Sequence, residues 1–379
     1  MKKVVLFANT DWYLFNFRLS LAKNLRDNGW SVLLMSPPGP YVAGLEDAGF
    51  RWLPVPMQRR SLNPLRELLL VLHLCRLFRK ERPDVVHGFT IKCAVYGSLA
   101  ARLARVRQRV NAVAGLGFVF TNDSLKARVL RPLVKILMRA TLNGRGASLI
   151  LQNPDDVAMF INAGIVDKSC IHLIPGSGVN VQKFAQRAKD TSGTPRPIRV
   201  LLAARLLWDK GIAEYVEAAR ALRNSQRSFE FLLAGDPDEG NPASVPTKTV
   251  EAWVEEGTLT WLGHVGDMPA LLRDIDIMVL PSYREGLPKA MIEAAACGIA
   301  LVTTDAPGCR EVVSQDGVDG LRVSVKDGVA LTDAIARLHD DPVLRETIGA
   351  NARVRALAEF DERIVIERTV AVYGTTQNA

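Results

Sequence analysis

Two cationic side chains, Arg205 and Lys210, lie five residues apart in a segment that follows an apolar run. An arginine offers a planar fork of N–H donors and a lysine offers a mobile point charge, so together they suit the bracketing of a diphosphate. The alternative interpretation is an ordinary ion pair on the surface. Which of the two applies depends on the other groups that the fold brings to this segment.

A second segment, residues 280–298, combines two carboxylates with the start of a predicted helix. Pro288 suits the first position of a helix, and the free N–H groups of a helix N-terminus bind anions such as phosphate. Gly286 allows close approach to the backbone. Glu285 in the loop and Glu293 in the helix can each accept hydrogen bonds from the paired hydroxyls of a sugar or ribose. Taken alone, a glutamate on a helix is more often a solvated residue.

Both segments belong to a chain in which short apolar runs alternate with helical patterns. This alternation is typical of parallel sheets covered on both faces. We therefore predict an α/β protein with two doubly wound, Rossmann-like domains that face each other across a cleft. The predicted domains are residues 1–185 and 186–360, and a terminal helix in 361–379 is expected to pack back on the first. Predicted strands are 4–8, 31–36, 52–55, 84–87, 109–114, 148–151, 170–174, 199–203, 229–233, 259–262, 275–280 and 300–304.

The composition is that of a globular protein. Of 379 residues, 48% are hydrophobic and 23% are charged, which excludes intrinsic disorder as the main state. No apolar run reaches the roughly 18 to 20 residues of a membrane-spanning helix, and the N-terminus lacks a secretory cleavage pattern. Five scattered cysteines fit neither a disulfide framework nor a zinc site. These features predict a cytoplasmic protein.

Positive charge is concentrated in the first half of the chain. Residues 1–185 hold 26 Lys and Arg against 11 Asp and Glu, a balance of +15, whereas residues 186–379 have a balance of −7. Nucleic acid and an anionic membrane surface are the usual partners of such a basic region. Aromatic residues are not interleaved with these cations, which disfavours stacking on a nucleic-acid single strand.

The segment 126–142 favours a membrane. Its cations recur at helical spacing with apolar residues on the other side, as in helices that lie at the surface of an anionic bilayer. The segment 59–80 has a similar composition but is apolar nearly all round. For both segments the alternative is a buried helix with a charged rim. The predicted membrane-contact residues are Arg128, Arg131, Lys135 and Arg139.

Taken together, the motifs of the second half resemble the donor site of family 4 retaining glycosyltransferases, which have the GT-B fold. The resemblance is carried by Arg205, Lys210, the Glu285-x7-Glu293 spacing and the later block 307–321. It implies that the two cations hold the diphosphate of a nucleotide sugar, that Glu285 contacts the sugar and that Glu293 contacts the ribose. The donor-binding residues that it implies are Arg205, Lys210, Gly263, His264, Glu285, Gly286, Leu287, Pro288 and Glu293.

Three segments of the first half, 15–18, 87–92 and 115–120, resemble a bacterial subgroup of that family. Those enzymes extend polyprenyl-diphosphate-linked sugars for O-antigen, capsule or protein glycosylation. The resemblance therefore implies an acceptor that is anionic, amphiphilic and embedded in the membrane. The predicted acceptor-binding residues are Arg18, Lys92 and Gly117.

His87 ends a predicted strand of the first half. A histidine there can exchange a proton or hydrogen-bond the donor sugar, and a structural histidine satisfied by the backbone is the alternative. Phe89 stands where many relatives carry a second histidine. With His87 included, the predicted catalytic residues are His87, Arg205, Lys210 and Glu285.

No metal or other cofactor is predicted. Departure of a nucleoside diphosphate requires neutralisation of its developing charge, and many glycosyltransferases use a divalent metal held by an Asp-x-Asp pair. Asp274 and Asp276 open a predicted buried strand, which makes a structural role the better interpretation, whereas Asp236 and Asp238 lie in a strand-end loop. A cation pair with a helix dipole already supplies the needed charge, and the family resembled works without metal.

The sequence thus predicts a metal-independent transferase of a hexose or N-acetylhexosamine. We expect it to move the sugar with retention from a UDP-sugar to a polyprenyl-diphosphate-linked saccharide, as a peripheral protein on the inner face of the bacterial plasma membrane. A sugar-nucleotide epimerase of the same architecture is the alternative. A nucleic-acid-binding protein is a third interpretation, but it leaves the second-half motifs unexplained.

Overall fold

Two parallel β-sheets form the framework of the chain. The computed structural model describes residues 1–58, 61, 63–113, 125–186 and 196–374, and for 125–130 it describes the backbone alone. Contacts divide the chain into two compact units. The first comprises Met1–Ser177 and the segment that begins at Val365, and the second comprises Gly178–Ile364.

The first unit alternates strands with helices. Its strands are β1 (Lys3–Phe7), β2 (Ser31–Ser36), β3 (Arg51–Pro54), β4 (Val85–Phe89), β5 (Gln108–Ala112), β6 (Ala147–Leu151) and β7 (Ile171–Leu173). Its described helices are α1 (Asp11–Tyr13), α2 (Leu19–Asp27), α3 (Val42–Asp47), α4 (Pro64–Glu81), α5 (Ile91–Leu103), α6 (Leu125–Leu142) and α7 (Pro154–Asn162). A π-helical turn, Leu14–Arg18, joins α1 to α2. The strands pair in parallel in the order β3-β2-β1-β4-β5-β6-β7.

The second unit repeats this plan. Its strands are β8 (Ile198–Ala203), β9 (Phe229–Ala234), β10 (Thr260–Gly263), β11 (Ile277–Leu280), β12 (Ala300–Thr304) and β13 (Leu321–Val323). Its described helices are α8 (Ile212–Arg223), α9 (Thr247–Glu255), α10 (Met268–Leu272), α11 (Lys289–Ala296), α12 (Gly328–Asp340) and α13 (Pro342–Arg355). The last helix, α14 (Glu362–Val372), begins in this unit and continues into the first. The strand order is β10-β9-β8-β11-β12-β13.

Local sequence explains why these elements form. Every residue of β4, β11 and β12 is buried, because apolar side chains on both faces pack against helices. The helices α4, α7 and α13 begin in the same way, with an Asn or Asp side chain that accepts hydrogen bonds from the first turn, followed by a proline. In the terminal segment, Val365, Ile366, Val372 and Tyr373 are buried in the core of the first unit.

In each sheet the chain adds strands first on one side of a given strand and then on its other side. In the first unit β1 lies between β2 and β4, and in the second β8 lies between β9 and β11. In sheets of this kind ligands bind at this point, beyond the carboxyl ends of the strands. We therefore expect a ligand site at the loops that follow β1, β4, β8 and β11.

The prediction of two doubly wound α/β domains is confirmed. All twelve predicted strands are present, and their ends agree within two residues. The sequence missed only the edge strand β13 among the described residues, because three residues are too short to show a pattern. In the described part of the chain, no helix combines the length and the apolar character needed to span a bilayer.

Candidate active site

Two loops meet at the carboxyl ends of β8 and β11 in the second unit. The backbone carbonyl of Asp209 accepts hydrogen bonds from the amide of Tyr283 at 2.9 Å and from the hydroxyl of Ser282 at 3.1 Å. Gly211 has a φ of +71°, and a Cβ at this position would clash with the carbonyl oxygen of Pro281. Glycine is therefore required where the two loops cross.

Lys210 and Glu285 face each other across these loops. The Lys210 Nζ lies 2.6 Å from Oε1 of Glu285, and the two side chains are only 13% and 15% exposed. A pair this well shielded is stronger than an ordinary surface ion pair, because water screens it less. The pairing places a three-donor ammonium and a hydroxyl-binding carboxylate side by side, which suits a ligand with both phosphate and hydroxyl groups.

A third loop fixes Glu285 from the other side. The amide of Glu285 donates to the carbonyl of Pro307 at 2.9 Å. Gly308, with a φ of +83°, packs so closely against the Glu285 carbonyl that a Cβ would overlap it. The amide of Gly308 in turn donates to the Glu311 carboxylate at 2.6 Å. The block 307–311 therefore supports the loop that carries Glu285.

Arg205 begins the same loop as Lys210 but is held elsewhere. Its Nη1 lies 3.0 Å from Oδ2 of Asp238, and 54% of its side chain is exposed. The Asn241 amide also donates to that carboxylate oxygen. Because an exposed ion pair is worth at most about 1 kcal/mol, Arg205 can exchange Asp238 for a stronger anion at little cost.

Glu293 lies in α11, which begins at Lys289, one residue after Pro288. The side chain is buried, and this burial raises the pKa of Glu293 to about 7, although the ammonium of Lys289 at 3.9 Å acts in the opposite direction. At neutral pH the carboxyl group is thus poised between its two forms. Leu287 packs partly against the core beneath this helix.

Gly263 ends strand β10, and His264 follows it, at the same edge of the sheet. The carbonyl of Gly263 accepts a hydrogen bond from the amide of Gly235 at 2.7 Å. Gly263 has a φ of +60°, and His264 is exposed. Residues 235–238 and 263–264 therefore come together beside the Arg205 loop, as the parallel sheet requires.

In the first unit, His87 and Arg18 are both buried, whereas Lys92 is partly buried. The His87 Nδ1 lies 2.7 Å from the Tyr373 hydroxyl. Lys92 donates to Glu67 at 2.8 Å and to the carbonyls of Gln58 and Ser61. Lys92 thus ties α5 to α4 and to the segment before α4.

The remaining predicted residues have different environments. Gly117 and the Arg128 side chain lie outside the described residues. Lys135 and Arg139 are exposed on α6, and Arg139 donates to the carbonyl of Gly164 at 2.9 Å. Arg131, also on α6, is partly buried.

Known proteins resemble this chain over nearly its whole length. Residues 3–150 match the family model described as glycosyl transferase 4-like, and residues 197–341 match that of glycosyl transferases group 1. A Campylobacter jejuni protein, N,N'-diacetylbacillosaminyl-diphospho-undecaprenol alpha-1,3-N-acetylgalactosaminyltransferase, is 31% identical over 370 residues, which cover 95% of each chain. The chain belongs to the family 4 glycosyltransferases.

Two further proteins resemble this glycosyltransferase. The Escherichia coli UDP-Gal:alpha-D-GlcNAc-diphosphoundecaprenol alpha-1,3-galactosyltransferase is 28% identical over 338 residues, covering 87% of this chain and 84% of the relative. The crystal structure of Anabaena HepE in complex with UDP superposes with a TM-score of 0.77 at 20% identity, covering 99% of this chain and 100% of that one. The glycosyltransferase therefore has the GT-B fold, as its sequence predicts.

The structure of the glycosyltransferase adds partners that sequence reasoning missed. The sequence suggests Asp238 only as a possible metal ligand, but in the structure its carboxylate pairs with Arg205. Tyr373, at the end of α14, contacts His87 across 286 positions of sequence. No local pattern signals either contact, since both depend on strand order and on the path of the terminal segment. Asp276 accepts two hydrogen bonds from Arg196, in keeping with a structural role.

Proposed function

We propose that the glycosyltransferase moves a hexose or N-acetylhexosamine, with retention, from a UDP-sugar to a saccharide carried on a polyprenyl diphosphate. The names of the Campylobacter and Escherichia relatives specify diphospho-undecaprenol acceptors, and the Anabaena protein was solved with UDP. The observation that carries the proposal is the shielded pair of Lys210 and Glu285 where β8 and β11 end.

In this proposal the chain supplies positioning and charge. Lys210 and Arg205 neutralise the diphosphate as the bond to the sugar breaks, and Glu285 orients the sugar hydroxyls beside it. The Glu293 carboxylate binds the ribose, and the backbone from Gly286 to Pro288 approaches the phosphates with Gly263 and His264 near the base. His87 is assigned to the donor sugar, and Arg18, Lys92 and Gly117 to the acceptor. No covalent intermediate is invoked, because the leaving phosphate can take the proton of the acceptor hydroxyl.

The proposal is tested by offering a panel of nucleotide sugars together with lipid extracts that carry short diphosphate-linked glycans. Mass spectrometry should detect an acceptor that is heavier by one hexose or N-acetylhexosamine with one UDP-sugar only. NMR of the new anomeric carbon then reports retention. An epimerised donor in the absence of acceptor, with no extended lipid, would instead support an epimerase.

We expect transfer to need no metal, because the cationic side chains and the α11 N-terminus supply the positive charge. The Asp236–Asp238 loop is the better metal candidate, yet one oxygen of Asp238 already binds Arg205 and Asn241. Activity should therefore remain within about twofold in excess EDTA. Complete loss that magnesium or manganese restores would contradict this expectation.

UDP binding should weaken in acid. The ionised Glu293 accepts hydrogen bonds from both ribose hydroxyls, whereas the protonated form must donate one. With a pKa of about 7 in the free protein, about nine tenths of the group is ionised at pH 8 and only about one tenth at pH 6, so the Kd for UDP should rise up to about tenfold between these pH values.

Because UDP itself titrates in this range, the comparison is made with Glu293→Gln. This variant should bind weakly at both pH values and should lose the extra pH dependence that calorimetry detects in the wild type. The same pH profile in both proteins would exclude Glu293 from the ribose site.

We further propose that the first unit binds an anionic membrane surface, partly through α4. The helix exposes Leu65, Leu68, Leu69 and Leu72 by 72%, 56%, 65% and 42%, a continuous stripe at helical spacing. Large apolar patches of this kind mark interaction surfaces.

The charge on α4 suits anionic lipid. Both carboxylates of the helix are turned inward, with Glu67 paired to Lys92 and Glu81 paired to Lys3 and Arg51. The exposed charged residues of the helix are Arg66, Arg76, Arg79 and Lys80. Its exposed charge is therefore entirely positive, beside an apolar stripe, as in interfacial helices.

The predicted apolar side of α6 is only partly available. Val134, Leu137 and Met138 pack into the core of the first unit, so they do not face lipid. Leu133 and Ile136 are 64% and 66% exposed and remain available for contact with lipid. The interpretation of residues 126–142 as an interfacial helix therefore applies to a narrower strip than the sequence indicates.

Replacement of Leu68 and Leu72 by glutamate should lower sedimentation with phosphatidylglycerol vesicles about tenfold or more, since each buried leucine contributes roughly 1.5 to 3 kcal/mol. The matched control is Val343→Glu with Val354→Glu, which adds the same charge at exposed apolar positions of α13. Glutamates at Arg131, Lys135 and Arg139 should also weaken binding, in a salt-dependent manner. Unchanged sedimentation of the leucine variant would contradict the assignment of α4.

A further inference from the structure

The carboxyl ends of β1 and β4 enclose a cluster of buried polar side chains in the first unit. Arg18 is 5% exposed, His87 is 0% exposed and Tyr373 is 2% exposed. Arg18 ends the π-helical turn between α1 and α2, and such turns are frequent at functional sites. Strand β4 is followed by Thr90 at a φ of +73°, a strained conformation for a β-branched residue that persists chiefly where function needs it.

Arg18 carries a buried charge that the chain compensates only in part. Its Nη2 donates to the hydroxyl of Tyr13 at 3.0 Å, and its guanidinium lies 4.4 Å from the centre of the Phe89 ring. Among the described residues no carboxylate pairs with it, and its buried Nε has no acceptor. A guanidinium has five N–H donors, and a buried charge without a counter-charge is costly. This combination points to an anionic ligand.

His87 presents a second donor beside Arg18, since its ring lies 4.1 Å from the same Phe89 ring. If the Tyr373 hydroxyl donates to Nδ1, only the Nε2–H group stays unpaired. The reverse arrangement leaves both the hydroxyl proton and the Nε2 lone pair without partners within the described residues. The first arrangement is preferred because unpaired buried polar groups are costly.

Burial holds the pKa of His87 well below its usual range, and the charge of Arg18 acts in the same direction. The ring is therefore neutral, with its proton on Nε2. An unpaired N–H donor on Arg18 and one on His87 then both lie close to the ring of Phe89. An oxygen that only accepts hydrogen bonds and carries negative charge complements both of them.

We propose that Arg18 and His87 bind one phosphate group of a diphosphate, and that Tyr373 is a positioning residue that fixes the Nε2–H tautomer of His87. Arg18 supplies the charge and a hydrogen-bonding fork, and His87 supplies one directed hydrogen bond. The ligand class rests on the proposed function, in which both the donor and the lipid acceptor carry a diphosphate. His87 here contacts a phosphate rather than the donor sugar itself, and the experiment below decides whether that phosphate belongs to the donor or to the acceptor. The terminal segment after α14 thereby becomes part of a binding site.

The first experiment measures two dissociation constants by calorimetry, for UDP alone and for inorganic pyrophosphate in the presence of saturating UDP. Arg18→Met should weaken one of them about 10- to 100-fold. Loss of UDP affinity assigns the site to the donor diphosphate, and loss of pyrophosphate affinity at unchanged UDP affinity assigns it to the acceptor. The control is Arg26→Met, because Arg26 also lies over an aromatic ring, that of Phe50, but is exposed.

If Arg18→Met changes neither constant, the proposal is overturned. Replacement of a buried charge by an apolar side chain of similar length is often neutral or stabilising, so the variant should fold. The result of this binding experiment does not depend on the result of the screen of nucleotide sugars. Arg18-dependent pyrophosphate binding in a wild-type protein that transfers no sugar would leave this site in place and remove the proposed function.

A second measurement addresses Tyr373. Nitrogen-15 NMR of histidine-labelled protein, with His87→Gln to assign the signal, should show His87 as the Nε2–H tautomer in the wild type. Tyr373→Phe should produce a mixture of tautomers and weaken the Arg18-dependent constant about three- to tenfold. An Nδ1–H tautomer in the wild type would overturn the role assigned to Tyr373. A purely structural effect of Tyr373→Phe would weaken binding without changing the tautomer of His87.

Discussion

Replacement of Lys210 by alanine is expected to lower kcat/KM for sugar transfer about 100- to 1,000-fold. The Lys210 ammonium lies 2.6 Å from the Glu285 carboxylate in a loop region where both side chains are largely shielded. Without it, Glu285 keeps its negative charge at the place proposed for the diphosphate and repels the anion. Steady-state kinetics with the UDP-sugar that the screen identifies, together with calorimetry of UDP binding, measures the effect.

Three variants make this result specific. Lys248→Ala removes an exposed lysine from α9 of the same unit and should leave kcat/KM unchanged. Lys210→Arg keeps the charge but not the compact geometry, so an intermediate loss is expected. In Lys210→Ala combined with Glu285→Gln, the losses should not add, because paired groups act as a unit. A Lys210→Ala enzyme within threefold of the wild type would contradict the proposed donor site.

Much of the fold follows from sequence because parallel strands buried on both faces leave a clear pattern. The strand 300–304, for example, is predicted with its exact limits and lies fully buried. The sheet order does not follow in the same way. Strand β8 pairs with β11, more than 70 residues away, through Val200 and Leu201. Lys210 and Glu285 approach each other only because of that pairing.

The leucines of α4 show a second feature that the sequence does not predict, namely which side of a helix is exposed. A helix that is apolar nearly all round is expected to be buried, and its inner side, Leu70, Leu74 and Phe78, does lie in the core. Leu68 and Leu72 stay exposed because α4 covers the sheet at an outer layer with no further element above it among the described residues. Composition alone cannot distinguish one side of such a helix from the other.

The contact of Tyr373 with His87 is a third feature that the sequence does not predict. A tyrosine close to the chain end carries no motif, and the contact with His87 depends on where the terminal segment packs. The sequence also shows no reason for the strained Thr90, since the residue is an ordinary β-branched one. Contacts that join distant segments through single side chains are therefore found only in the structure, although the strand ends that they complete are visible in the sequence.

Gly211→Ala is expected to have the largest effect on stability and to disable the donor site as well. The residue has a φ of +71°, and its α-carbon packs against the carbonyl of Pro281. A methyl group there meets both a left-handed backbone, costing about 1 to 2 kcal/mol, and a clash with backbone that cannot rotate away, costing about 1 to 3 kcal/mol more. Urea denaturation should show a total loss of about 2 to 5 kcal/mol.

Gly317→Ala separates the two causes. Gly317 lies in the same unit at a φ of +78°, but a Cβ there meets no atom within 4 Å. This control should lose only the backbone part, about 1 to 2 kcal/mol, and should bind UDP normally. Gly211→Ala should lose UDP affinity even where it remains folded, because parting the two loops separates Lys210 from Glu285. Equal stability losses and equal UDP affinities in the two variants would mean that the crossing of the loops at Gly211 does not hold the donor site together.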